Sequence, residues 1–315
     1  MRTPRRSFTT DAHGQILAAD AAARGASRTQ LQRQAATGAL TRPFRGLYLV
    51  PGVDDPHRSL RAAMVHVGEE SVAVLGSASL VQGLAGLPKQ WTPQVALPPG
   101  LERRQRAGVE LHTWDLPPHH VEQVADGHGA DLAATTVLRT LADVCRMLPE
   151  IYAVSLVDSA LDRGKVRPED FPDVLGLMAR RRSCIRGRRA LQLARVGAQS
   201  PGETRTRLIL SAAGLPPDEL QVPVHSDEGR LVGRGDLGYA LPGGGWVIVE
   251  FDGRSVHELP EALLYDRRRQ NAFQARADIT MFRFAWEDTR HPDVIPGVIG
   301  PVLRAANWRA GRYRP

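Results

Sequence analysis

Gly243-Gly244-Gly245-Trp246-Val247-Ile248-Val249-Glu250-Phe251-Asp252-Gly253 is the stretch on which the reading of this chain turns. Its apolar run, opened by three glycines and closed by one, predicts a buried strand. Such a strand rarely carries carboxylates, because desolvating an unpaired one is costly. Glu250 and Asp252 lie two apart and so point to one face. Asp236 falls near the end of the preceding predicted strand, 231–239. Antiparallel pairing of the two strands would bring the three acids together. Carboxylates gathered in this way repel unless a cation holds them, and hard oxygen donors suit Mg2+ or Mn2+. The competing readings are a solvated strand face and a carboxylate cluster paired with arginine.

The surrounding residues extend this into a domain over 197–315. Ser200-Pro201-Gly202-Glu203 opens a helix that runs to Ala213 and stops at Gly214. A serine cap, proline next and glutamate three positions on form a capping box, which is one reading of Glu203. Strands follow around 221–224, 231–239 and 246–252, then a helix over 260–276 and a strand over 279–284. The order is α-β-β-β-α-β.

At the other end, residues 16–24 have helical propensity and Gly25 closes them. Ser27 caps a second helix over 28–37, stopped by Gly38, and 40–50 reads as a hairpin turning at Gly46. This is the pattern of a small winged helix-turn-helix over 1–52, whose second helix would enter the major groove of DNA. Arg28, Thr29, Gln32 and Arg33 would form its exposed face, and Leu31 and Ala35 its core side. Arg42 and Arg45 would reach phosphate from the wing. A helical cap with solvated arginines is the plainer alternative.

The intervening 53–196 alternates helix and strand patterns: helices over 57–67, 77–84, 135–148, 151–163 and 168–180, and strands over 71–75, 94–97 and 109–112. His112, His119, His120 and His128 lack regular metal-ligand spacing and read as surface histidines. The run Arg180-Arg181-Arg182-Ser183-Cys184-Ile185-Arg186-Gly187-Arg188-Arg189 reads either as a lining for DNA or as a solvated helix end and linker.

Length and composition fit a soluble globular protein of two or three domains, with 315 residues, 42% apolar and 24% charged, and the order of elements makes it an α/β multidomain chain. No apolar run approaches the roughly 20 residues needed to span a bilayer. The start, Met1-Arg2-Thr3-Pro4-Arg5-Arg6, is not followed by the apolar segment of a secretory signal. Cys145 and Cys184 stand alone and suit a reducing, cytoplasmic setting. The net charge of +7 is unevenly placed. Residues 1–52 hold eight Arg and two Asp, 53–196 hold 18 basic and 17 acidic residues, and 197–315 hold 15 of each. The first 52 residues therefore carry almost the whole excess, and an anionic partner is expected there.

Taken together, Ser200-Pro201-Gly202-Glu203, Gly235-Asp236, Val249-Glu250-Phe251-Asp252-Gly253 with His257, Asp266-Arg267-Arg268-Arg269 and Phe282-Arg283-Phe284-Ala285-Trp286-Glu287-Asp288 resemble the restriction-endonuclease-like superfamily. More narrowly, the last 115 or so residues are similar to the domain related to very-short-patch-repair endonucleases. The turn before Ser27-Arg28 and the Arg45-Gly46-Leu47-Tyr48 wing, in turn, resemble the abortive-infection antitoxin family. The first resemblance implies a PD-(D/E)xK-like fold and metal-dependent phosphodiester hydrolysis, and the second an N-terminal DNA-binding winged helix.

One departure stands out. The superfamily's pattern ends in a lysine two positions after the glutamate. Here that position is Asp252, and no lysine follows Lys165. The repair-endonuclease branch uses a nearby histidine instead, which the resemblance maps to His257. On this reading Asp236 and Glu250 hold Mg2+ (or Mn2+), and Asp252 binds it or a coordinated water. His257 works on the attacking water or the leaving group, Glu203 acts behind them or as base, and Arg267 or Arg269 clamps phosphate. A lone site of this kind nicks DNA, and double-strand cutting needs a homodimer or two visits. The alternatives are a non-catalytic DNA-binding regulator of antitoxin type with a degenerate nuclease fold, and a nucleotide- or RNA-processing enzyme on the same site.

Overall fold

A computed structural model describes residues 13–53, 55–101, 107–125, 131–226, 228–253, 273 and 276–311. The chain is mixed α/β and divides into two compact units, Met1–Val144 and Cys145–Pro315. The boundary read at 52/53 falls inside the first unit, and the one at 196/197 inside the second.

The first unit opens with β1 (Gln15–Leu17), α1 (Ala18–Ala23), α2 (Arg28–Ala36), β2 (Thr41–Phe44) and β3 (Leu47–Leu49). The sequence suggests helix from residue 16, but Gln15–Leu17 instead pairs antiparallel with β3, so helix begins only at Ala18. A strand partner outweighs weak local propensity over three residues. Ser27 caps α2 by accepting the Gln30 N–H at 3.1 Å. The three strands form a sheet in the order β1-β3-β2. Alternation along β3 serves two cores. Tyr48 packs with Ile16, Ala21, Leu31 and Leu40, while Leu47 and Leu49 join Phe44, Leu60 and Val95 on the other side.

The rest of this unit comprises α3 (Arg58–Val67), β4 (Val72–Ala73), α4 (Leu75–Val81), β5 (Gln94–Leu97), β6 (Glu110–Thr113), β7 (Val121–Ala125), β8 (Asp131–Thr135) and α5 (Val137–Met147), which leads into the second unit. Its sheet runs β6-β5-β4-β8-β7. Both β7 and β8 escape the sequence reading. β7 is a half-exposed edge strand and β8 is Ala-rich, so neither shows the apolar, β-branched pattern of a strand.

The second unit contains α6 (Glu150–Asp162), α7 (Phe171–Met178), α8 (Cys184–Leu193), α9 (Pro201–Ala212), β9 (Glu219–His225), β10 (Leu231–Ala240), β11 (Trp246–Phe251), β12 (Ile279–Phe284) and α10 (Val294–Ala305). The sheet order is β12-β11-β10-β9. β9, β10 and β11 form an antiparallel meander, and β12 returns parallel to β11. The expected helix over 260–276 lies almost wholly outside the described residues. Leu237, Tyr239, Val247 and Val249 pack with Leu210 of α9 and with Ile295, Ile299 and Leu303 of α10. Ile248 packs separately with Val224 and Phe273. β11 is thus buried on both sides, as a near-continuous apolar run requires.

The helices over 150–193 belong to this second unit, and a buried charge network shows why. Arg207 Nη2 donates to Asp158 Oδ2 at 2.7 Å, Thr204 Oγ1 donates to the same oxygen at 2.7 Å, and the Arg195 N–H reaches Asp158 Oδ1 at 2.8 Å. Asp158 and Arg207 are both buried. Burial pushes the Asp158 carboxyl above the ordinary carboxylate range, against the opposing pull of Arg207 and the other donors. Removing either member would leave a buried charge without its counterpart, so the network fastens α6 to α9.

Candidate functional site

In the second unit the candidate residues converge where β11 ends, around Phe251. Gly202, in the first turn of α9, lies against this residue, and a Cβ at position 202 would overlap its ring. Only glycine allows the helix to approach so closely. The next residue, Glu203, is 7% exposed. Its Oε2 accepts the Gln199 N–H at 2.9 Å and the Gln221 side-chain amide at 3.3 Å, and its own N–H donates to Ser200 Oγ at 3.2 Å. The usual capping box returns the glutamate to the N–H of the capping residue itself; here it reaches one residue further back. Burial pushes the Glu203 carboxyl above the ordinary range, with the Gln199 N–H pulling the other way.

From β10, half-buried Asp236 turns its Oδ2 to the Phe251 N–H at 2.8 Å. Glu250 is 4% exposed and its Oε2 meets both Nε and Nη2 of Arg283 at 3.0 Å. The parallel register places these two residues directly opposite each other on β11 and β12. Asp252 is half-buried, and its N–H donates to the Phe284 carbonyl at 2.8 Å. The Phe251 ring meets Trp286 edge-on, with centroids 5.1 Å apart.

The strands therefore pair as the sequence suggests, and Asp236 meets the backbone between Glu250 and Asp252. Among the described residues no group of three or more His, Cys, Asp or Glu side chains is arranged to hold a metal ion. Two of the acids have partners of their own. Arg283 supplies the positive charge that buried Glu250 needs, and a backbone N–H occupies one oxygen of Asp236. Among the described residues these three acids form no Mg2+ or Mn2+ site on their own. Glu250 takes the arginine-paired alternative. His257, Asp266, Arg267, Arg268 and Arg269 lie outside the described residues.

Arg283 is the residue that sequence reasoning missed. Its signal was a lone cation inside the apolar run Ile279-Thr280-Met281-Phe282-Arg283-Phe284, facing a lone acid in a neighbouring apolar run. Each such charge calls for the other.

In the first unit, Arg28, Thr29, Gln32 and Arg33 are all exposed along α2, while Leu31 is buried and Ala35 packs at the edge of the core. Positions i, i+1, i+4 and i+5 share one helix face. Arg42 and Arg45 are exposed on the hairpin, with the Arg42 guanidinium 5.8 Å from the centre of the Tyr48 ring. The guanidinium groups of Arg28, Arg33 and Arg45 make no ion pair or hydrogen bond among the described residues. In the middle of the chain, His112 is half-buried rather than at the surface, its Nε2 3.2 Å from Glu110. Its pKa is lowered by burial, opposed by Glu110 and Asp143.

No family model matches the chain. It is similar to the uncharacterised protein MT2308 of Mycobacterium tuberculosis strain CDC 1551 / Oshkosh and to Rv2248 of strain H37Rv. Each is 28% identical over 244 residues, which cover 77% of this chain and 84% of the relative. Among solved structures, the RV2827C protein from Mycobacterium tuberculosis is 16% identical, with 59% of this chain and 78% of that chain covered and a TM-score of 0.39. That likeness is too distant to assign a fold.

The two sets of residues differ in what they can do chemically. The arginines of α2 and the hairpin carry charge that nothing described inside the protein neutralises, so it is available to an anion in solution. Glu203, Asp236 and Glu250 already accept from donors within the protein. Glu250 already has a cation partner in Arg283.

Proposed function

We propose that this chain is a DNA-binding protein of regulator type, whose first unit reads duplex DNA through a winged helix-turn-helix and whose second unit is a restriction-endonuclease-like fold without a working metal site. One observation carries the reading: Arg28, Thr29, Gln32 and Arg33 line the exposed face of α2, with Arg42 and Arg45 exposed on the following hairpin. In this reading α2 enters the major groove and the hairpin arginines contact phosphate. The test is a gel shift or anisotropy titration of duplex DNA at several salt concentrations. Replacing Arg28, Arg33 and Arg45 by alanine is expected to weaken binding and to lower the salt slope by about 0.9 for every phosphate no longer neutralised. Unchanged binding in that variant would remove the reading.

A second reading, a metal-dependent endonuclease, is favoured by the hydrogen bond from Phe251 N–H to Asp236, which brings that acid to the end of β11 where Glu250 and Asp252 lie. Incubation of supercoiled plasmid with Mg2+, Mn2+ or EDTA separates the two. Metal-dependent nicking that disappears in Asp236→Asn, with DNA binding kept, supports the nuclease. A salt-sensitive shift with no cutting in any metal supports the regulator.

A further inference from the structure

Between Asp173 and Glu203 the sequence holds seven arginines and no acidic residue. Six of them fall between positions 180 and 189, where α7 turns into α8. The structure divides these six into two kinds. Arg186 donates to the Arg146 carbonyl at 2.6 Å, and Arg189 Nε lies 2.8 Å from Glu150 Oε2, so both brace α8 against its own unit. Arg180, Arg181, Arg182 and Arg188 are exposed, and their guanidinium groups make no hydrogen bond or ion pair among the described residues.

The backbone gives no reason for arginine at the start of this turn. Arg180 has φ 59° and Ser183 φ 64°, both in the left-handed region that glycine or asparagine enters with less strain. Ile185, 81% exposed, stands in the middle of the run. Like charges this close repel one another, and no carboxylate within the segment offsets them. A polyanion with regularly spaced charges would.

We propose that the α7–α8 turn is a second nucleic-acid surface, in which Arg180, Arg181, Arg182 and Arg188 contact the phosphate backbone of duplex DNA without reading its sequence. The choice of DNA as the polyanion rests on the function proposed above. Phosphates repeat regardless of base sequence, so contacts of this kind add affinity and no discrimination.

The test uses the full chain and fluorescence anisotropy on a random-sequence duplex of roughly 30 base pairs, about three helical turns. The variant Arg180→Gln, Arg181→Gln, Arg182→Gln, Arg188→Gln is expected to bind roughly tenfold or more weakly, with a salt slope lower by about 0.9 for every phosphate no longer neutralised by arginine. The matching lysine variant is expected to stay within about threefold of wild type, because holding a phosphate in this way needs charge more than the guanidinium fork. Unchanged affinity and slope in the glutamine variant would overturn the proposal, as would capture by anionic lipid vesicles with no binding of duplex. A parallel variant, Arg28→Gln, Arg33→Gln, Arg42→Gln, Arg45→Gln, separates the two surfaces. Weaker binding only in the α7–α8 variant sinks the first-unit reading and keeps this one; weaker binding only in the first-unit variant does the reverse. A wild-type chain that binds no duplex overturns both. Should the fourfold glutamine variant fold poorly, Arg181→Gln, Arg188→Gln alone serves the same comparison.

Discussion

On α2 and the hairpin of the first unit charge points outward, whereas around Phe251 and on α6 of the second unit it points inward. On α2 and the hairpin, Arg28, Arg33 and Arg45 stand in solvent with no described partner. Around Phe251 and on α6, the charges of Glu203, Glu250 and Asp158 are buried, and each has donors built around it. Charged residues thus do different work in the two places. An exposed arginine costs the fold little and remains free for an external anion, while a buried carboxylate is so expensive to desolvate that it becomes part of the scaffold. Residue types in a motif therefore do not settle its chemistry; the partners they acquire do.

If the inward charges are structural, removing a partner should cost stability first. The largest effect is expected from Arg207→Ala, which leaves Asp158 buried without its cation. Chemical denaturation should show a loss of about 3–5 kcal/mol in the second unit. A loss under about 1 kcal/mol would mean that Asp158 is protonated or hydrated in the native state. Gly202→Ala comes next. The added methyl meets the Phe251 ring, and about 1–3 kcal/mol is expected from the overpacking. Wild-type stability in that variant would show that α9 can shift away from β11. Ser27→Ala removes the α2 cap and should cost about 1 kcal/mol in the first unit.

A smaller effect separates Glu203 from an ordinary surface acid. Its folded-state pKa lies above the unfolded value, so the native state holds the proton longer as pH rises. The contribution of Glu203 to stability is therefore fully present below the ordinary carboxylate range of about 4 and is lost as pH rises through the raised value. Glu203→Gln should remove that loss. The Tm difference between variant and wild type should then move in the variant's favour from pH 4 toward neutrality, and a constant difference would refute the assignment. The smallest effect tests the outward side. Arg28→Ala with Arg33→Ala should change unfolding free energy by no more than about 0.5 kcal/mol each while DNA affinity falls. A large stability loss would mean that these arginines belong to the scaffold too.

The same division governs what could be read in advance. The strand expected over 279–284 forms over those same residues, and the two strands that carry the acids, β10 and β11, pair antiparallel. The segments over 246–251 and 279–284 are mostly apolar runs entered from turn residues, which is a local pattern. α8 escaped because its arginines mask a helix in which Gly187, Ala190 and Leu191 supply the buried face. α10 escaped because Pro296 and Pro301 read as breakers, although the first lies in its opening turn and the second is carried within the helix. β4 shrank to two residues because Leu75 already begins α4.

By itself the sequence determined where the chain is extended or helical in most places, which helices are capped by Ser27 and Ser200, and where the basic excess lies. Each of these depends on residues within a turn or two of one another. Only the tertiary structure decided that Glu250 meets Arg283, 33 positions away, and that Asp158 meets Arg207, 49 positions away. Those partners are chosen by strand register and helix packing, which depend on contacts throughout each unit. The electrostatics of a buried acid is set by its nearest neighbours in space, and the linear order of residues does not specify them.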